Sequence, residues 1–212
     1  MTFEIDWWWK FQDEINSQFN FSKIREEIAA RLVSRLNYTK SSLQSSFVDR
    51  DFILVGAGLT ESDALPKKNL IVADGALRGC LNKGIVPEWV ISDLDGYIPD
   101  ILWASQNGSK IIIHAHGDNI SRVSLYSNQI NPECITTTYP SSFTSCWGGF
   151  TDGDRSVMMC LTLGCKSVKL VGFNFDKVGI FTGEYSPRKL EKLQWAKKII
   201  KECQQRSSSI IY

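Results

Sequence analysis

The chain has 212 residues, of which 43% are hydrophobic and 22% charged, and its 24 basic and 23 acidic residues leave a formal net charge of +1. That length suits one large domain, or a domain with a helical extension, while the near-neutral balance excludes a polybasic field for nucleic acid or an anionic membrane. No apolar run reaches membrane-spanning length, Met1 to Asp6 lacks the basic start of a secretory leader, and Cys80, Cys134, Cys146, Cys160, Cys165 and Cys203 form no CxxC. These features predict a cytoplasmic protein with reduced thiols and neither nucleic-acid nor membrane partners.

From Phe3 to Leu36 the pattern predicts helix, with Phe11, Ile15 and Phe19 as one apolar stripe and Ile24, Ile28, Leu32 and Leu36 as a second. Ser22, followed by Arg25-Glu26-Glu27, reads as the start of the second helix. The run Trp7-Trp8-Trp9 cannot share one helical face, so it covers a core or a subunit contact. Asn37 to Ser46 is polar and reads as a linker, which divides the chain into an N-terminal helical extension, residues 1–48, and an α/β domain, residues 49–212.

Strands are predicted near Phe52–Val55, Leu70–Ala73, Trp89–Ser92, Lys110–Ile113, Cys134–Thr137 and Ser167–Val171, with helical segments between most of them. This alternation implies an α/β fold, an open, mainly parallel and Rossmann-like sheet of about six strands with helices on both faces. In such a sheet the carboxyl ends of the strands share one edge, where ligands bind. Several strands end in polar residues, so Asp74, Asp93, Asp95, His114, His116 and Asp118 are expected to converge there.

Trp89-Val90-Ile91-Ser92-Asp93-Leu94-Asp95-Gly96 is the most telling of these ends. If the backbone stays extended, Asp93 and Asp95 point the same way about 6 to 7 Å apart, a spacing of hard oxygen ligands that suits Mg²⁺ held against phosphates. The competing reading is a solvated Asp-Gly turn. Gly56-Ala57-Gly58 follows a strand as a dinucleotide fingerprint would, but Glu61 occupies the third small position and argues against NAD; the two glycines either approach a phosphate or form a plain turn.

His114 and His116 are the only histidines, and with Asp118 and Asn119 they form a ligand-contacting candidate, although zinc lacks a third soft ligand. Tyr139 to Asp154 is a long loop without periodicity, of the kind that carries function. Within it Trp147 either stacks on a heterocycle or packs the loop. Asp152, Asp154 and Arg155 stand at a helix start, where an arginine suits developing phosphate charge. Lys189 to Arg206 reads as a solvated basic helix.

Taken together, Ala73-Asp74-Gly75, then Gly84 to Gly96, then His114 to Asn119, then Gly148 to Arg155 resemble the archaeal type of 6-hydroxymethyl-7,8-dihydropterin pyrophosphokinase, which is in turn similar to thiamin pyrophosphokinase. The resemblance runs from about Phe52 to Ser186, and Gly96-Tyr97, where the thiamin enzymes carry serine, favours the pterin family. It implies transfer of a diphosphate from ATP to a pterin hydroxymethyl group with release of AMP, in pterin or folate-type cofactor biosynthesis. It also implies Mg²⁺ held by Asp93 and Asp95 with Asp152 or Asp154, substrate or nucleotide lined by Asp74, His114, His116, Asp118 and Asn119, and phosphate charge balanced by Arg155. The N-terminal helices would be a homodimer contact or a lid. Thiamin pyrophosphokinase, a metal-dependent glycosyltransferase using the same Asp-x-Asp, and an inert nucleotide-binding module are the alternatives.

Overall fold

The computed structural model describes residues 3–36, 42–182 and 185–211. Its centre is a parallel sheet of seven strands in the order β5-β4-β3-β2-β1-β6-β7. The strands are β1 (Asp51–Val55), β2 (Leu70–Ala73), β3 (Trp89–Ser92), β4 (Lys110–Ala115), β5 (Cys134–Thr137), β6 (Ser167–Val171) and β7 (Ile210–Ile211). All six predicted strands are present. The seventh, which pairs Ile210 with Val168, follows a serine run that conceals it in the sequence.

Among the described residues eight helices surround the sheet: α1 (Trp8–Phe19), α2 (Lys23–Val33), α3 (Gln44–Phe47), α4 (Asp74–Asn82), α5 (Ile98–Gln106), α6 (Ile120–Ile130), α7 (Asp152–Thr162) and α8 (Pro187–Arg206). Alternation along each strand divides the core in two. Leu54, Ile71, Trp89, Ile91 and Ile112 face Trp8, Phe19, Phe47, Met158 and Ile199. Leu70, Val72, Val90, Ile111 and Ile113 face Leu77, Ile101, Val123 and Val33. Trp8, Phe47 and Trp89 are completely buried, and each withdraws enough apolar surface to contribute roughly 1.5–3 kcal/mol or more.

The three tryptophans divide as their spacing requires. Trp8 enters the core, Trp9 stacks on Tyr139 and Trp7 meets Phe11 edge-on. Ser22 caps α2 as expected, accepting from the Arg25 amide. The face that α2 buries is not the predicted one. Ile24 is 70% exposed and Ile28 48%, whereas Glu26, Ala29 and Val33 are buried. The reason is polar: Glu26 accepts the Gly117 amide at 3.0 Å and the Thr138 hydroxyl at 2.6 Å, and Arg25 donates twice to the Gly117 carbonyl. Asn37 to Ser41, the first half of the predicted linker, lie outside the described residues, and Gln44–Phe47 beyond them is helical.

Helix α2 is thereby fixed to the ends of β4 and β5 through a buried carboxylate. Glu26→Ala would leave the Gly117 amide and the Thr138 hydroxyl without their acceptor, and urea denaturation should read a loss of about 2–4 kcal/mol. A change below about 0.5 kcal/mol would mean that α2 contributes little to the cooperative unit.

Candidate active site

The carboxyl ends of β1, β2, β3 and β6, the start of α7 and one face of α8 enclose a cavity of about 690 Å³. It lies beside β1, where the strand order reverses, the place at which open α/β sheets bind ligands. Of the residues singled out in the sequence, Gly56, Gly58, Asp74, Asp93, Asp95 and Asp152 line it. Arg122, Phe150, Phe173, Asn174, Lys189 and Lys192 line it too, and the sequence did not single them out. Gly56 and Gly58 are needed first for close packing: a Cβ on either would fall 2.8 Å from the Gly172 carbonyl oxygen.

Asp74, Asp93 and Asp152 each bring a carboxylate oxygen within 4.8 Å of the others. Asp74 and Asp152 are the first residues of α4 and α7, so helix dipoles face both. One oxygen of Asp74, Oδ2, accepts from the buried Ser92 hydroxyl at 2.6 Å and from the Gly96 amide at 3.0 Å, which leaves Oδ1 for a ligand. Ser92 also accepts the Leu94 amide at 2.8 Å. Among the described residues, no group donates a hydrogen bond to the Asp152 carboxylate.

Like charges in a partly dry site shift one another's titration. Burial pushes the Asp74 carboxyl up to about 6, against the Ser92 hydrogen bond and with help from the charge of Asp93. Burial and then the charges of Asp93 and Asp74 raise Asp152 well above the usual carboxylate range. Burial would raise Asp93 as well, but the His116 ring and the Asp95 amide outweigh it and hold this carboxyl below its ordinary value. The donor set is therefore three hard oxygen ligands, two of them destabilised as anions, and this fits a divalent cation such as Mg²⁺.

The extended geometry expected for Asp93-Leu94-Asp95 is not what forms. Leu94 is fully buried with φ of +63°, a left-handed conformation rare for a bulky side chain, and it turns Asp95 away from Asp93. Asp95 lies at the cavity rim in an ion pair with Arg122, which also donates to the Leu94 carbonyl at 3.1 Å. Burial, followed by the charge of Asp93, raises its pKa. Asp95 thus stands outside the group of three, and Asp74, expected to line the substrate, stands inside it.

The His114–Asn119 segment serves Asp93 from behind. Asn119 donates to the Asp93 and His114 carbonyls at 2.6 Å each and accepts the His116 amide at 2.9 Å. His116 Nδ1 accepts the Asp118 amide at 3.3 Å, and its Nε2 lies 3.8 Å from Asp93 Oδ2. His114 is buried, bonded to the Thr136 hydroxyl at 2.9 Å and stacked on His116; burial and then the charge of Arg155 keep it neutral. Asp118 pairs with Arg25 at the surface. None of His114, His116, Asp118 and Asn119 lines the cavity.

Three further expectations are corrected by packing. Asp154 is completely buried and closes the capping box of α7, accepting from the Thr151 amide and hydroxyl at 2.9 and 2.6 Å, so its carboxylate points away from Asp93. Arg155 is buried behind the carboxylates, where it donates to the Phe150 carbonyl at 3.2 Å and supplies positive charge to Asp152 and Asp154 without reaching the cavity. Trp147 packs in the core with Trp8. Gly148 and Gly149, at φ of +76° and +90°, turn the chain sharply between Trp147 and α7, and this turn is what delivers Asp152 to the cluster.

Three relatives extend over nearly the whole chain. The 6-hydroxymethyl-7,8-dihydropterin pyrophosphokinase of Pyrococcus furiosus is 30% identical over 91% of this chain and 91% of its own length. The proteins of the same name from Methanothermobacter thermautotrophicus and Methanocaldococcus jannaschii are each 29% identical, over 93% and 91% of this chain and 94% and 92% of their own lengths. A sequence model of the family described as 6-hydroxymethylpterin diphosphokinase MptE-like matches residues 26–179, from the buried Glu26 of α2 to the loop that follows β6. The chain belongs to this MptE-like family.

Proposed function

We propose that the protein transfers a diphosphate group from ATP to the hydroxymethyl group of 6-hydroxymethyl-7,8-dihydropterin and releases AMP. The observation that carries this reading is the convergence of Asp74, Asp93 and Asp152 within 4.8 Å at one wall of a 690 Å³ cavity. The other walls hold cations, Arg122, Lys177 and Lys192, and the flat rings of Phe150 and Phe173. The names of the relatives supply the acceptor.

In this transfer the hydroxymethyl oxygen bonds to the β-phosphorus of ATP. The bond from that phosphorus to the oxygen bridging to the α-phosphate breaks, AMP leaves with the electron pair, and the hydroxyl proton passes to water. Such chemistry needs positioned phosphates and neutralised charge rather than a covalent intermediate. In our reading Asp74, Asp93 and Asp152 would hold Mg²⁺, which supplies charge neutralisation on the phosphate oxygens. Ser92 and Gly96 fix Asp74, His116 and Asn119 fix Asp93, and the capping box of Thr151 and Asp154 fixes the first turn of α7 and with it Asp152. Asp95 and Arg122 are assigned to the rim. We place the reaction in the cytoplasm, a reading that the buried thiols of Cys80, Cys160, Cys165 and Cys203 support. Among the described residues no helix is long and apolar enough to cross a membrane.

The deciding assay supplies ATP and Mg²⁺ with either 6-hydroxymethyl-7,8-dihydropterin or thiamin. We expect AMP and a diphosphorylated pterin; AMP formed only with thiamin, or none with either, would overturn the assignment. Within the active protein, Asp93→Asn and Asp152→Asn should each lower kcat by on the order of 10² to 10³, whereas Asp95→Asn should lose less than about tenfold. Equal losses at all three positions would remove the distinction between cluster and rim.

A pH dependence follows from Asp74, whose carboxyl is pushed up to about 6 in the folded protein, mainly by burial, against about 3.9 in an unfolded chain. Between those values the folded state binds the proton more tightly, so through this group the metal-free protein gains stability as pH falls across the window. Asp93, held below its ordinary value, loses its contribution only at lower pH. In chelator, Asp74→Asn should be the more stable form near neutrality, and the gap in Tm should close towards about pH 4.5. A gap that does not vary with pH would contradict the burial of an ionised Asp74.

A further inference from the structure

The helix α8 carries more positive charge than a scaffold element needs, and its spacing is informative. Lys189, Lys192, Leu193 and Ala196 all line the cavity, and they fall at i, i+3, i+4 and i+7, one face of the helix. The adjoining stripe, including Trp195, Ile199 and Cys203, is buried in the core and fixes the rotation of the helix. The polar face read from the sequence as solvated is therefore turned partly into the site.

Lys177 is exposed, and the other cations of the cavity differ in what already occupies them. Arg122 is held by Asp95 and the Leu94 carbonyl. Lys189 donates to the Thr182 carbonyl at 2.6 Å. Lys192 is half-buried, yet among the described residues its ammonium makes no hydrogen bond and no ion pair. Its one specific neighbour is the face of Phe150, with Nζ 5.6 Å from the ring centroid, a contact that orients an ammonium while leaving its three donors open. Phe150 is in turn braced by Phe19 and Phe21, at centroid distances of 5.0 and 6.1 Å. The charge of Lys192 is felt at Asp93 and Asp95, after that of closer groups, and the three residues line the same cavity.

We propose that Lys192 contacts the phosphate chain of the nucleotide during transfer and is a catalytic residue of this site. The inference rests on the diphosphate-transfer reading and names the charge which that reading needs from the protein itself. Asp74, Asp93, Asp95 and Asp152 make the cavity wall strongly acidic, and a triphosphate entering it must meet fixed positive charge as well as any divalent ion. A half-buried ammonium in the cavity lining, with no hydrogen bond or ion pair among the described residues, meets that requirement as a point charge.

The test compares the unaltered protein with Lys192→Met and Lys192→Arg. Lys192→Met should keep its Tm within about 2 °C, since no hydrogen bond is lost, and lower kcat/KM for ATP by on the order of 10²-fold, with KM for the pterin within about threefold. Lys192→Arg should recover part of that loss. Independently of turnover, titration with α,β-methylene-ATP and Mg²⁺ should give binding at least about tenfold weaker in Lys192→Met. Equal affinity for the analogue, or a kcat/KM for ATP within about threefold of the unaltered protein, would overturn the role of Lys192. If the unaltered protein forms no AMP from ATP and pterin, the diphosphate-transfer reading fails instead, and the analogue titration still decides on Lys192.

Discussion

Three carboxylates whose oxygens lie within 4.8 Å of one another repel, and the fold around them exists to hold that arrangement. Asp74 and Asp152 stand where helix dipoles offset part of the repulsion, and Asp93 is held from behind by Asn119 and His116. Each carboxylate comes from a different crossover of the sheet, so the cluster forms only when β2, β3 and α7 are all docked. Burial raises Asp74 and Asp152, which marks them as groups that gain from a proton or a cation. The same edge of the sheet opens into the cavity of about 690 Å³.

The supporting structure extends further from the cavity than the loops alone. Glu26 of α2 holds Gly117, the Gly117 turn holds His116 and Asn119, and these hold Asp93. The aromatic residues of the first helical hairpin, Phe19 and Phe21, brace Phe150 at the cavity wall. Both N-terminal helices therefore carry part of the site, although the sequence set them apart as an extension. They reach it through a buried carboxylate and an aromatic cluster.

Much of the fold was legible because strand burial leaves a simple signature. Runs such as Leu70-Ile71-Val72 and Ile111-Ile112-Ile113 are apolar on both faces, as buried parallel strands must be, and the residues that follow them fell at one edge. Less of the site was legible, for reasons specific to each residue. An extended backbone would put Asp93 and Asp95 on one face, and the left-handed conformation of Leu94 breaks that rule at one residue. Asp154 resembles a ligand in spacing, but the Thr-x-x-Asp pattern before an apolar helix is also a capping box, and the cap consumes it. Ile24 and Ile28 form a stripe that periodicity assigns to the core, and the hydrogen bonds of Glu26 turned the helix the other way. Ser92 left one clue, a hydroxyl in an otherwise apolar strand. Lys192 left none, since its helix reads as uniformly basic.

The most direct measurement is electron paramagnetic resonance of Mn²⁺ bound in the presence of α,β-methylene-ATP, for the unaltered protein and for Asp93→Asn, Asp152→Asn and Asp95→Asn. A cation held by Asp74, Asp93 and Asp152 predicts that the bound signal is lost in the first two variants and kept in Asp95→Asn. Retention of bound Mn²⁺ in Asp152→Asn together with its loss in Asp95→Asn would contradict the site described by these three carboxylates.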